Sequence, residues 1–270
     1  MTRQDDHRAD RNGEGHTASS TRRSGAGMYG SAGRIGVIDI SSCVALSAEL
    51  PLAVTRDVVV FRACIRLPGQ EVSVAALDAM LQTRELETAA EQLADTDVDV
   101  ITFACTSGSF IHGPGWDEQL IARITAATGI PASTTTTALV AALRELDVQR
   151  LVVGTPYPDE VNASERRFLE GIGIEVAQIE GLGLERDRQI GALTREDVVA
   201  LALRVGATPS DAVFLSCTSL PTLPLLHELE QRLERPVISS NAVTIWDALR
   251  RIDAPSASTE LGTLLSALRS

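Results

Sequence analysis

At 270 residues and 28.7 kDa the chain has room for one large domain or two of roughly 100–120 residues. Hydrophobic residues make up 44% and charged residues 22%, and no apolar run approaches the roughly 20 residues of a membrane span, so a soluble protein with a sizeable core is expected and a membrane partner is not. The 24 basic and 36 acidic residues leave a net charge of −12, which excludes an overall positive field for a phosphate backbone and argues against nucleic acid as a partner.

In chain order, residues 1–33 contain no Val, Ile, Leu, Phe or Trp and read as a disordered tail, with Met28 an alternative start. Arg22-Arg23 is followed by a Gly-rich stretch instead of an apolar segment, so no signal peptide is expected and a cytoplasmic location follows. Gly25-Ala-Gly27-Met-Tyr-Gly30 spells GxGxxG but precedes the first strand, which rules out a dinucleotide-binding turn. A strand is predicted at 34–40, ending near Ser42 and Cys43, and a second at 58–64, where Cys64 is expected in the core. A helix near 74–93, a strand at 98–104 ending on Cys105 and a helix at 116–128 follow. The run Ser133–Thr137 reads as a turn and N-cap for a helix at 136–146. Beyond it come a strand at 150–154, a helix at 159–170, a strand at 174–179 and a charged, solvated loop at 180–188. A helix at 195–205, a strand at 212–216, a helix at 223–233, a strand at 236–238 and a helix at 243–252 complete the pattern.

Apolar strands alternating with helices indicate an α/β fold with parallel sheets covered on both faces, in which ligands sit beyond the carboxyl ends of the strands. The chain also repeats itself. Asp99-Val-Ile-Thr-Phe-Ala-Cys105-Thr106-Ser107 matches Asp211-Ala-Val-Phe-Leu-Ser-Cys217-Thr218-Ser219, Arg34-Ile-Gly-Val-Ile recurs as Arg150-Leu-Val-Val-Gly, and Pro131-Ala-Ser-Thr recurs as Pro236-Val-Ile-Ser. Three landmarks in one order and at similar spacings predict two pseudo-symmetric, doubly wound, flavodoxin-like domains. We expect the first at 34–136, completed by 241–270, and the second at 137–240, with the active site in the cleft between them.

Lysine is absent, so Schiff-base chemistry, pyridoxal phosphate anchoring and a Walker A motif are excluded. The four cysteines lack the paired spacing of a zinc site, and no metal or cofactor is expected. Each Cys-Thr-Ser turn leaves an apolar strand towards a helix, a setting that lowers a thiol pKa from about 8.5 towards roughly 3.5–7.5, so a thiolate near neutrality is expected. The hydroxyls of Thr106, Ser107, Thr218 and Ser219, with backbone amides, can hold a carboxylate without lysine. A lone strand-end cysteine is usually a small core residue; duplication beside two hydroxyl residues points instead to function. Cys43, at the end of the first strand, is placed to face the cleft. His112, in a Gly-Pro-Gly loop, and His227, on an amphipathic helix, read as loop and surface residues, and Tyr157 taken alone reads equally well as a packed turn aromatic.

The paired Cys-Thr-Ser turns, Arg34-Ile-Gly-Val-Ile with Ser41-Ser42, the stretch Thr155-Pro-Tyr157-Pro-Asp-Glu-Val-Asn162, and Pro236-Val-Ile-Ser-Ser-Asn241-Ala with Trp246-Asp247-Ala248 resemble the aspartate/glutamate racemase superfamily. Over roughly residues 34–252 they look most like its maleate cis-trans isomerase and arylmalonate decarboxylase branch. That resemblance implies cofactor-independent chemistry on a small carboxylate, with Cys105 as nucleophile adding to the alkene and Cys217 as acid/base. It also implies Tyr157, Thr106, Ser107, Thr218, Ser42, Cys43 and Asp187 as substrate-binding groups. Decarboxylases of this type carry glycine where this chain has Cys105, which favours isomerase or racemase. Two departures stand out: Cys43 and Asp187 occupy positions where maleate isomerases carry asparagine, which weakens the case for a second substrate carboxylate. A racemase, a decarboxylase and a non-catalytic small-acid binding protein stay open at this point, as does a homo-oligomer.

Overall fold

The structure, a computed structural model, describes residues 28–268. The expectations for the tail before Met28, and most of the GxGxxG stretch, lie outside the described residues. Strand β1 (Gly33–Ile40) is buried from Ile35 to Ile40 and pairs in parallel with β2 (Val58–Ile65) on one side and β3 (Val100–Ala104) on the other. With β4 (Ala132–Thr134) beyond β3, the first sheet has the order β2-β1-β3-β4. The second sheet repeats that order: β5 (Arg150–Thr155) lies between β6 (Glu175–Gly181) and β7 (Ala212–Leu215), with β8 (Val237–Ser239) beyond β7. All pairings are parallel. The inner strands read as continuous apolar runs because helices cover both faces. In each sheet the chain leaves its first strand to one side and returns on the other, so the loops after β1 and β3, and after β5 and β7, diverge and leave a crevice at the carboxyl ends.

Several expectations are corrected. Ala132–Thr134 forms strand β4, where the β-branched Thr134 serves as both edge-strand residue and cap; its hydroxyl then accepts the Thr137 N–H at 3.1 Å and starts the helix Thr135–Glu145. The single helix expected at 74–93 is two, Val74–Leu81 and Glu85–Ala94, separated where the Thr83 hydroxyl donates to Met80 O and accepts the Glu85 N–H. The stretch expected as a helix from 223 begins as a 3₁₀ turn, Leu223–Leu225, and continues as the helix Leu226–Leu233. A helix at Val44–Ala53 was not expected because it contains Pro51. The loop expected at 180–188 is shorter than that: it runs over 182–186, between the end of β6 and a short helix, Asp187–Ile190. Cys64 is exposed, not core: it lies on edge strand β2 and opens onto a polar hollow with Arg66, Arg84 and Glu85.

The two halves are joined by polar as well as apolar contacts. The helix Ser240–Arg251 packs on Thr135–Glu145, with the Thr135 and Thr244 hydroxyls 2.8 Å apart. Asp247, fully buried, accepts the Ser133 hydroxyl at 2.6 Å and is ion-paired with Arg250 and Arg251 at 2.7 and 2.6 Å. Glu49 of the first half accepts the Thr222 and Leu223 N–H groups and the Asn241 side-chain amide. Burial pushes its carboxyl up to about 7, against the pull of those donors. Beyond Arg251 the chain returns to the first half, where Ala257 N donates to Ala53 O at 2.8 Å. Among the described residues no helix is long and apolar enough to cross a membrane.

Candidate active site

Each cysteine turn begins where a buried strand ends. Cys105 follows β3 and caps the five-residue helix Thr106–Phe110; Cys217 follows β7 by two residues with φ +100°, a backbone conformation that disfavours any side chain. The folding of the two halves brings both turns to one small cavity of about 20 Å³, room for about a single water. Cys105, Thr106, Ser107, Cys217, Thr218 and Ser219 all line it, as do Tyr157 from the loop after β5 and Asp187.

Polar partners fix these groups. The Ser240 hydroxyl accepts the Thr106 hydroxyl at 2.8 Å and the Cys217 N–H at 2.9 Å, tying one cysteine turn to the other. Thr218 donates to Ala104 O at 3.2 Å across the same seam. Asp187 accepts the Ser42 hydroxyl on one oxygen at 2.5 Å and the Ser219 hydroxyl on the other at 2.6 Å. Ser42 and Cys43 stand behind the wall instead of lining it; the Cys43 thiol donates to Thr218 O at 3.3 Å. Two flaps close the mouth, with Val72 N donating to Glu185 O at 2.8 Å and Arg186 reaching Gly69 O at 3.2 Å.

The expected low thiol pKa is overturned in this closed arrangement. Burial pushes Cys105 up to about 12, with the Gly108 N–H and Ser107 hydroxyl pulling it back and the fields of Asp187 and Asp39 adding to the rise. Burial, then Asp187, also raises Cys217, opposed by the Tyr157 hydroxyl and the Ser219 N–H. Cys43 is raised by burial and by Asp39. Desolvation outweighs a one-turn helix dipole when water is excluded.

Some residues at or around the site were not anticipated. Leu67, Val72 and Leu77, with Ile40 and Ile190, form the apolar wall. Leu67 and Val72 carry no motif, while Ile190 follows a charged stretch that masked it. Ser240 was findable, because the Pro131/Pro236 repeat aligns it with Thr135. Asp39, fully buried at the end of β1, is ion-paired with Arg62 and accepts the Ile40 N–H at 2.7 Å; burial holds it up at about 6 despite Arg62. Behind Cys217 sit three buried polar groups without a hydrogen-bond partner, the Tyr157 hydroxyl, the Ser216 hydroxyl and both Glu165 oxygens. Burial pushes Glu165 up to about 8, moderated by Ser216. His112 is elsewhere, bonded to Asp78 at 2.8 Å and packed edge-on to Trp116, and His227 is on the surface beside Gln231.

Residues 51–265 match the family described as arylmalonate decarboxylase. A maleate isomerase of Nocardia farcinica is 30% identical over 248 residues, covering 86% of this chain and 95% of its own. The arylmalonate decarboxylase of Bordetella bronchiseptica is 33% identical over 163 residues, covering 60% of this chain and 68% of its own. Among solved structures, a cysteine-to-serine mutant of the Nocardia farcinica maleate cis-trans isomerase with a covalently bound succinylcysteine intermediate superimposes with a TM-score of 0.79 at 26% identity, over 86% of this chain and 97% of that one. A liganded double mutant of arylmalonate decarboxylase gives 0.80 at 28%, over 86% and 98%.

Proposed function

The chain belongs to the arylmalonate decarboxylase family and is an enzyme of the group that also holds the maleate isomerases; on that premise we propose that Cys105 and Cys217 carry out cis-trans isomerisation of a small unsaturated carboxylate. The observation that carries this reading is that two thiols from equivalent strand ends of the two halves line one small cavity.

In the proposed sequence Cys105 loses its proton while the cleft is open to water, where the burial penalty is absent. Its sulfur then bonds to one alkene carbon. The displaced π pair moves towards the carboxylate-bearing carbon, which takes the proton of Cys217. With a single bond in place of the double bond, the substrate rotates; the Cys217 thiolate removes the proton again, the double bond reforms and the Cys105–carbon bond breaks. Tyr157, whose buried hydroxyl has no hydrogen-bond partner, offers its one proton to the substrate carboxylate. The backbone and hydroxyls of Thr106, Ser107 and Thr218 line the cavity, with Cys43 bracing Thr218 and Ser42 bracing Asp187 from behind. The succinylcysteine intermediate on the related isomerase supports the addition step.

Proton NMR in deuterated water tests the reaction on maleate and other small unsaturated acids, aryl malonates and amino acids in one format. Wild-type protein should convert the cis alkene to the trans form, and Cys105→Ser and Cys217→Ser should each abolish conversion with the fold intact. Full activity in either variant, or loss of carbon dioxide without isomerisation, overturns the two-thiol isomerase.

A further inference from the structure

Two chemically unlike groups line the cavity. One is the Tyr157 hydroxyl, buried and without a hydrogen-bond partner, so its proton is free to be donated to a ligand. The other is Asp187, a buried carboxylate whose two oxygens already accept the hydroxyls of Ser42 and Ser219. Those two serines come from different halves of the chain, and both spend their donors on Asp187, so neither is left to receive a carboxylate. No arginine or histidine lines the cavity to balance the acid. Asp187 lines the same cavity as both thiols.

A dicarboxylate seated between the thiols would bring its second carboxylate against Asp187 in a low-dielectric space, an unfavourable juxtaposition of like charges. An N–H donor at the same place would use the lone pairs that Asp187 has left. We propose that the substrate presents one carboxylate to Tyr157 and an N–H-bearing group, a carboxamide or an ammonium, to Asp187 in place of a second carboxylate. This rests on the reading of Cys105 and Cys217 as acting on one small bound acid, and it narrows that acid to an unsaturated monocarboxylate with a nitrogen donor across the double bond.

Binding of saturated analogues tests the preference apart from the chemistry. Calorimetry on the full chain with succinate, its monoamide succinamate, and 4-aminobutyrate should give a dissociation constant at least about tenfold lower for one of the two nitrogen compounds than for succinate. Which of the two binds tighter separates amide from ammonium. Asp187→Asn, whose amide can donate to a carboxylate, should erase or reverse that ratio. Should the variant fail to fold, the wild-type ratio decides alone: succinate binding as tightly as both nitrogen compounds, or no binding by any of the three, overturns the proposal. Turnover of maleate against its monoamide is read separately. Absence of isomerisation of both, with the binding ratio intact, would sink the thiol-addition chemistry and leave the recognition standing.

Discussion

Ser240 accepts the backbone N–H of Cys217 at 2.9 Å while also accepting the hydroxyl of Thr106, the residue after Cys105, at 2.8 Å. One side chain on the helix that crosses between the halves therefore sets the spacing of the two cysteine turns. Ser240→Ala leaves a buried N–H and a buried hydroxyl without their acceptor, and should cost about 1–3 kcal/mol of stability. It should also lower kcat more than it changes KM, because the spacing matters most when both thiols engage one carbon skeleton. Denaturant unfolding and steady-state kinetics check both; unchanged kcat with lowered stability would reduce Ser240 to a structural role.

The φ of +100° at Cys217 predicts an order of stability among inactive variants. Cys217→Gly and Cys217→Ala both remove the thiol, but only glycine is at ease in that backbone conformation. The glycine variant should be more stable than the alanine variant by about 1 kcal/mol. Equal stability in urea would show that the turn relaxes.

Glu165 predicts a pH dependence with a definite sign. Its carboxyl, fully enclosed, is held up at about 8 by burial, above the roughly 4.3 of an unfolded glutamate. The folded state thus binds this proton more tightly than the unfolded chain, so the stabilisation is present at low pH and disappears as pH rises from the unfolded value through 8. Glu165→Gln should match wild type below about pH 4 and exceed it by a few kcal/mol near pH 9. Thermal melts across that range check it, and identical pH slopes for the two proteins would contradict it. Glu49, held at about 7, leaves a residual slope of the same sign in both.

Thiol accessibility divides the cysteines unequally. Cys64 is exposed, while Cys43, Cys105 and Cys217 are buried, with burial raising all three. A disulfide reagent at pH 7 should titrate one thiol quickly and three slowly, and the fast one should vanish in Cys64→Ser. Rapid reaction of three or four thiols in the native protein would mean that the cleft stands open.

Much of this arrangement was legible in the sequence because it rests on repetition and apolar runs. The duplicated Cys-Thr-Ser turns anticipated the residues that line the shared cavity, and seven of the eight strands followed from continuous apolar stretches. What escaped depended on long-range packing. Strand β4 is only three residues of Ala-Ser-Thr, too short and polar to register, and exists because β3 offers it an open edge. Cys64 looked like core because it sits in an apolar run, whereas the order of strands puts that run at the sheet edge. The thiol pKa values were misjudged because a turn and a helix start are visible in sequence, but the enclosure that raises them is built by flaps from both halves, Leu67 to Val72 and Glu185 to Ile190.

The central claim is that Cys105, with Cys217 as its proton partner, bonds to the substrate. Cys217→Ser incubated with the unsaturated acid that wild type turns over, digested and mapped by mass spectrometry, should carry one substrate mass on the peptide containing Cys105, and Cys105→Ser should carry none. An adduct on Cys43 or Cys64 instead, or no adduct while wild type turns the same acid over, would contradict the account.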